Sequence, residues 1–299
     1  MKRPLTLLLV CTLIATLALL AAGCAGGTTP PGASEPPPES QTPDGPPEAS
    51  ESPESPALTP SGSGNYTSEM KIPYGRDISP DDGADGYYEG GVAYFTERDG
   101  DHPDSPYFAK LDFYNMVSTD TLTILPEYKT VQQTSEWSCG PAAALTVIEY
   151  FGNPGALDEM AVSEFRPQGL EPSATSLDEM LEIFEKAGGF DVVSTRNFDG
   201  EFWLDTIQTF LAEGTPVLIC WNDWGGHWQS IIGYDTMGTE LESDDVLIVA
   251  DPYDTTDHNQ DGYGVIPAER FIYNFTMYDF FDGGDENNDT LFVAAKPAA

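Results

Sequence analysis

Residues 131–152 read VQQTSEWSCGPAAALTVIEYFG, and the fold turns on how this stretch is taken. Cys139-Gly140-Pro141 has the form of a helix start, since proline is tolerated in a first turn whose N–H groups lack intrahelical acceptors. Ala144, Leu145, Ile148 and Phe151 then recur at three- and four-residue steps, giving one apolar stripe, and Gly152 with Asn153-Pro154 stops the helix. The stripe faces a core, so Cys139 stands at the N-terminal end of a core helix. Unpaired N–H groups and the helix dipole favour negative charge there, which is what an ionised thiol requires.

Downstream the pattern stays helical. A short helix is expected over 157–165. Ser176-Leu177-Asp178-Glu179 is a capping box ahead of Met180, Leu181 and Phe184, closed by Gly188-Gly189. A third helix runs over 201–213 through Leu204, Ile207 and Leu211, closed by Gly214. The texture then changes to strands at 216–221, 227–234, 246–251 and 291–295, separated by Gly- and Asp-rich turns. Helices followed by strands predict an α+β fold, with the helix of Cys139 packed on an antiparallel sheet.

If Cys139 is a nucleophile, it needs an imidazole to hold its thiolate and protonate a leaving amine. The chain has three histidines. His102 lies among turn residues and His258 in an acidic loop, which leaves His227, at the head of an apolar strand behind Gly225-Gly226. An acceptor on the second ring nitrogen would fix its orientation. Asp251 ends the next strong strand, where antiparallel pairing brings it alongside His227; an Asp before a Pro is also a common turn opener. Gln133, six residues before Cys139, can lend an amide N–H to an oxyanion, with Gln132 as its competitor.

The first 65 residues belong to another regime. Lys2 and Arg3 precede an apolar run at 5–20 and then small residues up to Cys24, the form of an export signal. Leu-Ala-Ala-Gly-Cys resembles the bacterial lipoprotein signal, with Leu20 one place earlier than the commonest pattern. That resemblance implies lipidation of Cys24 and an extracytoplasmic protein tethered to the cell membrane; a plain cleaved signal or an uncleaved membrane helix is the alternative. Residues 25–65 are Pro, Ser, Gly, Thr and Glu with no basic residue, a composition that stays disordered and acts as a spacer. Four segments result: signal 1–24, linker 25–65, a strand-rich extension 66–125 with alternations at 91–96 and 121–125, and a catalytic domain 126–299.

The formal charge of −38 excludes nucleic acid as a partner. Of four cysteines, Cys11 and Cys24 fall in the signal, leaving Cys139 and Cys220. Two cysteines make no disulfide scaffold, and the absence of a C-x-x-C pair argues against zinc. Cys220 sits in the apolar run 217–221 and reads as an inert core thiol; the alternative, a bridge to Cys139, would silence the nucleophile. Trp221, Trp224 and Trp228 cluster around His227 in sequence, either as a wall excluding water from the thiolate or as core packing.

Taken together, Gln133 through Cys139-Gly140-Pro141-Ala142-Ala143, Gly226-His227-Trp228 with Gly233-Tyr234-Asp235, and Ala250-Asp251-Pro252 resemble the C39-like peptidases, a branch of the papain-like cysteine peptidases. The resemblance spans roughly 125–295. It implies a papain-like fold, a Cys139-His227-Asp251 triad, Gln133 in the oxyanion hole, a peptide or protein substrate and no required cofactor. The transporter domains that accompany leader-cleaving members are lacking, which argues against a leader peptide as substrate. The other readings are a non-catalytic calcium- or peptide-binding lipoprotein on the same scaffold, and a cell-wall peptide hydrolase or transpeptidase. A monomer is expected.

Asp257, Asn259 and Asp261, with Gly262, follow the alternate-oxygen spacing of a calcium loop. The twelfth place holds Ala268 instead of glutamate, with Glu269 next, so Ca²⁺ binding and a plain acidic turn are both open.

Overall fold

The computed structural model describes residues 70–72, 106–107, 109, 111–223, 226–254, 261–276 and 290–299. The expected signal, tether and alternation at 91–96 lie outside them, as do Cys24, His102, Trp224, Gly225, Asp257, His258 and Asn259.

Strand β1 (Leu122–Ile124) leads through a loop to helix α1 (Cys139–Tyr150), α2 (Glu159–Ser163) and α3 (Leu177–Ala187). Strand β2 (Phe190–Ser194) and α4 (Leu204–Ala212) follow, then β3 (Val217–Trp221), β4 (His227–Asp235), β5 (Val246–Ala250), β6 (Tyr263–Pro267), α5 (Ala268–Thr276) and β7 (Leu291–Pro297). The punctuation works through its ordinary chemistry. Gly152 stops α1 at φ +96°. Ser176 and Glu179 exchange both capping-box bonds at the start of α3, and Gly188, at φ +72°, closes it.

The strands form one antiparallel sheet in the order β2-β7-β3-β4-β5-β6, with β1 also paired to β4. β3 runs along the first half of β4, Trp221 opposite His227, and β1 along its last three residues, Ile124 opposite Gly233. A register shift between Ile231 and Gly233 adds a bulge on the β5 side. At Gly233 a Cβ would lie 3.2 Å from both Ile124 and Ile248, so the missing side chain lets β1 and β5 close on β4.

β3 has covered faces on both sides, which is why VLICW reads as a continuous apolar run. Leu218 and Cys220 point into a core shared with α1 and α3, whereas Val217, Ile219 and Trp221 enter a second core with α4 and α5. Each fully buried aliphatic side chain contributes about 1.5–3 kcal/mol, so β3, with helices on both faces, ties the two cores together. The architecture is α+β, as expected from the order of elements.

Three differences have physical reasons. The helix expected over 157–165 is a single turn, Glu159–Ser163, capped by Asp158, whose side chain accepts from the Ala161 N–H at 2.8 Å. Strands β2 and β6 are the two edges of the sheet, too short and too exposed on one face to give a long alternation. α5 begins directly where β6 ends, without the cap that would announce it. The stretch expected to be an extension shares both cores: Met70 and Ile124 lie in one and Ile72 in the other. Residues 70–72 run parallel to Thr130, with Ile72 N–H donating to Thr130 O at 2.9 Å and Thr130 N–H to Met70 O at 3.1 Å. Among the described residues, no helix is long and apolar enough to cross a membrane.

Candidate active site

Cys139 opens α1, and the residue before it behaves unusually. Ser138 occupies the N-cap, but its hydroxyl caps nothing in the helix; it donates to Glu159 Oε1 at 2.6 Å. The first turn holds no acidic residue. The positive end of α1 is thus neither consumed by a side-chain acceptor nor countered by a like charge on the thiol. Gly140 keeps the approach tight: a Cβ there would stand 2.5 Å from Thr175 Cβ. That neighbouring segment is tied down by buried Arg166, whose guanidinium donates to Ser173 O at 2.8 Å, Gly169 O at 2.6 Å and Glu171 O at 3.0 Å. The same guanidinium lies 4.2 Å over the Trp137 ring.

His227 is the first residue of β4, where the sheet ends beside the start of α1. Its Nε2 meets Asp251 Oδ1 at 2.6 Å, leaving Nδ1 as the nitrogen free for the Cys139 thiol, whose ionisation the ring favours. The pairing register explains the placement. Ser230 faces Ala250, so one step further Asp251 comes opposite Gln229 and diagonal to His227.

The electrostatics follow from burial and charge. Burial pushes the Cys139 thiol up, but the hydrogen bond and charge of His227, then the backbone N–H groups of Trp228 and Gly140, outweigh it and leave the thiol below its ordinary value. For His227, burial favours the neutral ring, and the Asp251 carboxylate and the Cys139 sulfur overcome this and lift it to about 10. Asp251 is likewise opposed by burial but held below the usual carboxylate range, by His227 first, then by the Tyr253 N–H and Gln229. The three groups thus stabilise an ionised cysteine facing a protonated histidine beside an ionised aspartate.

Two partners escaped the sequence reading. Gln229 Nε2 donates to Asp251 Oδ2 at 2.7 Å, and Trp221 Nε1 donates to Gln229 Oε1 at 2.7 Å. With Tyr253 N–H on Oδ1 at 2.8 Å, both carboxylate oxygens are held. The available signal was a glutamine at an inward position of the apolar run His227-Trp228-Gln229-Ser230-Ile231-Ile232. Tyr253 also lies 6.2 Å from the His227 ring, centroid to centroid, and its hydroxyl donates to Glu136 Oε2 at 3.0 Å.

Trp221 and Trp228 do not form one wall. Trp228 belongs to the α1 core and donates to Thr175 O at 2.7 Å, whereas Trp221 packs with α5 on the other face. They are adjacent in sequence pattern but on opposite faces of the sheet.

Gln133 is buried in the loop before Cys139. Its N–H donates to Pro252 O at 2.8 Å, which ties the loop to the Asp251 turn, and its Nε2 donates to Ser135 O at 2.7 Å. An amide nitrogen carries two hydrogens, so one donor remains. Both side-chain polar atoms of Gln132, also buried, lack a partner. Cys220 is a free thiol, as is Cys139.

Of the candidate calcium ligands Asp257, Asn259 and Asp261, only Asp261 lies in the described part. It is buried, its Oδ1 accepts from Tyr263 N–H at 3.0 Å, and its carbonyl accepts from Thr130 Oγ1 at 2.7 Å. Among the described residues, no three His, Cys, Asp or Glu side chains gather as a metal site.

A search of curated proteins returns no match. A profile of the Peptidase_C39 like family matches residues 125–278, more than half of the chain, from the loop after β1 through α5 and including Cys139, His227 and Asp251. The mixed helices and antiparallel sheet agree with the papain-like fold of that group. With the match covering that length, the chain belongs to the Peptidase_C39 like family.

Proposed function

We propose that this protein is a cysteine peptidase in which Cys139 is the nucleophile, His227 the proton carrier and Asp251 its orienting carboxylate. The observation that carries the reading is the pairing of a thiol at an uncapped helix N-terminus with an imidazole held through Nε2 by Asp251. The Cys139 thiolate attacks an amide carbonyl carbon, and the oxygen gains the negative charge. Gln133 and the Cys139 N–H stabilise that oxygen. His227 delivers its proton to the departing amine as the C–N bond breaks, leaving a thioester. Water then attacks the thioester with His227 taking its proton. The acid departs and the thiolate is regenerated. Asp251 stays ionised throughout and holds the ring.

No metal enters this sequence of steps. The site is carried outside the cytoplasm on the 25–65 spacer, anchored by acyl chains on Cys24.

Covalent trapping by a peptidyl electrophile, read by mass spectrometry, tests the reading. Cys139→Ala should lose the adduct and Cys220→Ala should keep it. Equal labelling of the two variants would sink the mechanism.

A further inference from the structure

Glu159 takes no part in the steps above, yet its carboxylate is buried beneath the loop that carries both oxyanion donors. It is 1% exposed, at the first position of α2. Thr134 donates to it twice over, its N–H to Oε1 at 3.0 Å and Oε2 at 3.2 Å, and its hydroxyl to Oε2 at 2.8 Å. Ser138 donates its hydroxyl to Oε1 at 2.6 Å, and Ser135 donates to Ser138 Oγ at 2.7 Å. Thr134 directly follows Gln133, and Ser138 directly precedes Cys139. One carboxylate therefore grips both ends of the five-residue span, Thr134 to Ser138, between the two proposed oxyanion donors.

Placing an acid here has a desolvation cost that a neutral loop would avoid, and charge-assisted bonds to several donors offset it. Those bonds also divert the Ser138 hydroxyl from its expected capping task, which keeps the N–H groups at the start of α1 unclaimed by that side chain.

We infer that Glu159 is a positioning residue for the oxyanion hole, fixing the Gln133 amide relative to the Cys139 N–H, while leaving the Cys139–His227 ion pair to form without it. This rests on the peptidase reading above. The separation is chemical. Alkylation of the thiolate by iodoacetamide displaces iodide at a saturated carbon and develops no oxyanion. Acylation by p-nitrophenyl acetate passes through a tetrahedral oxyanion, forms the S–C bond and releases p-nitrophenolate.

Both rates are measured on the full chain and on Glu159→Gln, Ser138→Ala and Thr134→Ser, with folding checked by circular dichroism. Glu159→Gln should slow the nitrophenolate burst by roughly 10- to 100-fold, because oxyanion donors act only when placed to within about an ångström, and should leave the alkylation rate and its pH profile in place. Ser138→Ala should produce a smaller loss of the same kind, and Thr134→Ser, which keeps the hydroxyl, should restore the unaltered burst. Equal loss of both rates, or no loss of the burst, in Glu159→Gln overturns the inference. Where that variant does not fold, Ser138→Ala decides by the same two rates. Failure of the earlier reading looks different: the unaltered protein itself would then show neither a burst nor alkylation faster than an ordinary thiol.

Discussion

Cys139 and Cys220 are both buried, both free, and both members of the core between α1 and the sheet, yet their thiols move in opposite directions. At Cys220, burial in the middle of β3 pushes the thiol well above its ordinary value, the charge on Cys139 pushes the same way, and one backbone N–H from His227 is too little to reverse it. At Cys139 the burial is of the same kind, but the thiol meets the His227 imidazole, the Trp228 N–H of β4 and the Gly140 N–H at the start of α1, and ends below its ordinary value. Burial alone therefore makes a thiol inert. Reactivity comes from having buried donors aimed at the sulfur, and His227 supplies first what the surroundings of Cys220 lack.

The comparison breaks most completely through the two cysteines themselves. Cys139→Ala should remove amide hydrolysis, a loss of about 10⁴-fold or more by analogy with deletion of other covalent nucleophiles, whereas Cys220→Ala should keep the rate and lose only about 1 kcal/mol of stability in chemical denaturation. His227→Ala tests whether donors outweigh burial. In the unaltered protein, iodoacetamide alkylation should rise with pH through a limb below the ordinary thiol range and keep its ion-pair character until His227 loses its proton near pH 10. Without the imidazole, burial acts unopposed, so the limb should move above the ordinary thiol range and the rate at pH 6 should fall by about 100-fold or more. A limb that stays put would mean the helix end alone accounts for the low value.

Smaller effects sharpen the comparison further out. Gln229→Leu removes a hydrogen bond to the charged Asp251 and leaves Trp221 Nε1 without its acceptor. A bond of that type is worth about 1.5–3 kcal/mol, so turnover should drop by roughly 10-fold as the ring loses its fixed orientation, with little change in substrate KM. Gly140→Ala drives a methyl against Thr175 and should cost about 1–3 kcal/mol in thermal or urea unfolding, leaving a thiol of normal pKa direction in the folded fraction.

Much of this frame was legible in the residues themselves. Cys139-Gly140-Pro141, the stripe to Phe151 and the stop at Gly152 determine α1, and the capping box at Ser176 determines α3, because caps and breakers act locally. The apolar runs of β3, β4 and β5 were legible because buried strands leave little room for polar residues. Glu159 was not, since one carboxylate among 50 acidic residues has no local mark; only the fold reveals that it is covered. Gln229 was half legible, a polar residue in an apolar strand whose partner at the end of the neighbouring strand cannot be named without the register. The edge strands β2 and β6 were illegible for the converse reason: their pattern is set by what they pair with.

The position of β7 carries a consequence for how the molecule comes into being. It lies between β2 and β3, joined to Ser194 on one side and Val217 on the other through Val293 and Ala294, although some 70 residues of chain separate it from β3. No ribosome-bound chain that stops short of residue 291 can close this sheet, so β2 and the α3 helix packed on it wait for the last strand to arrive. Assembly is thus non-local and slow compared with helix formation, and the sheet is completed only when synthesis has passed β7.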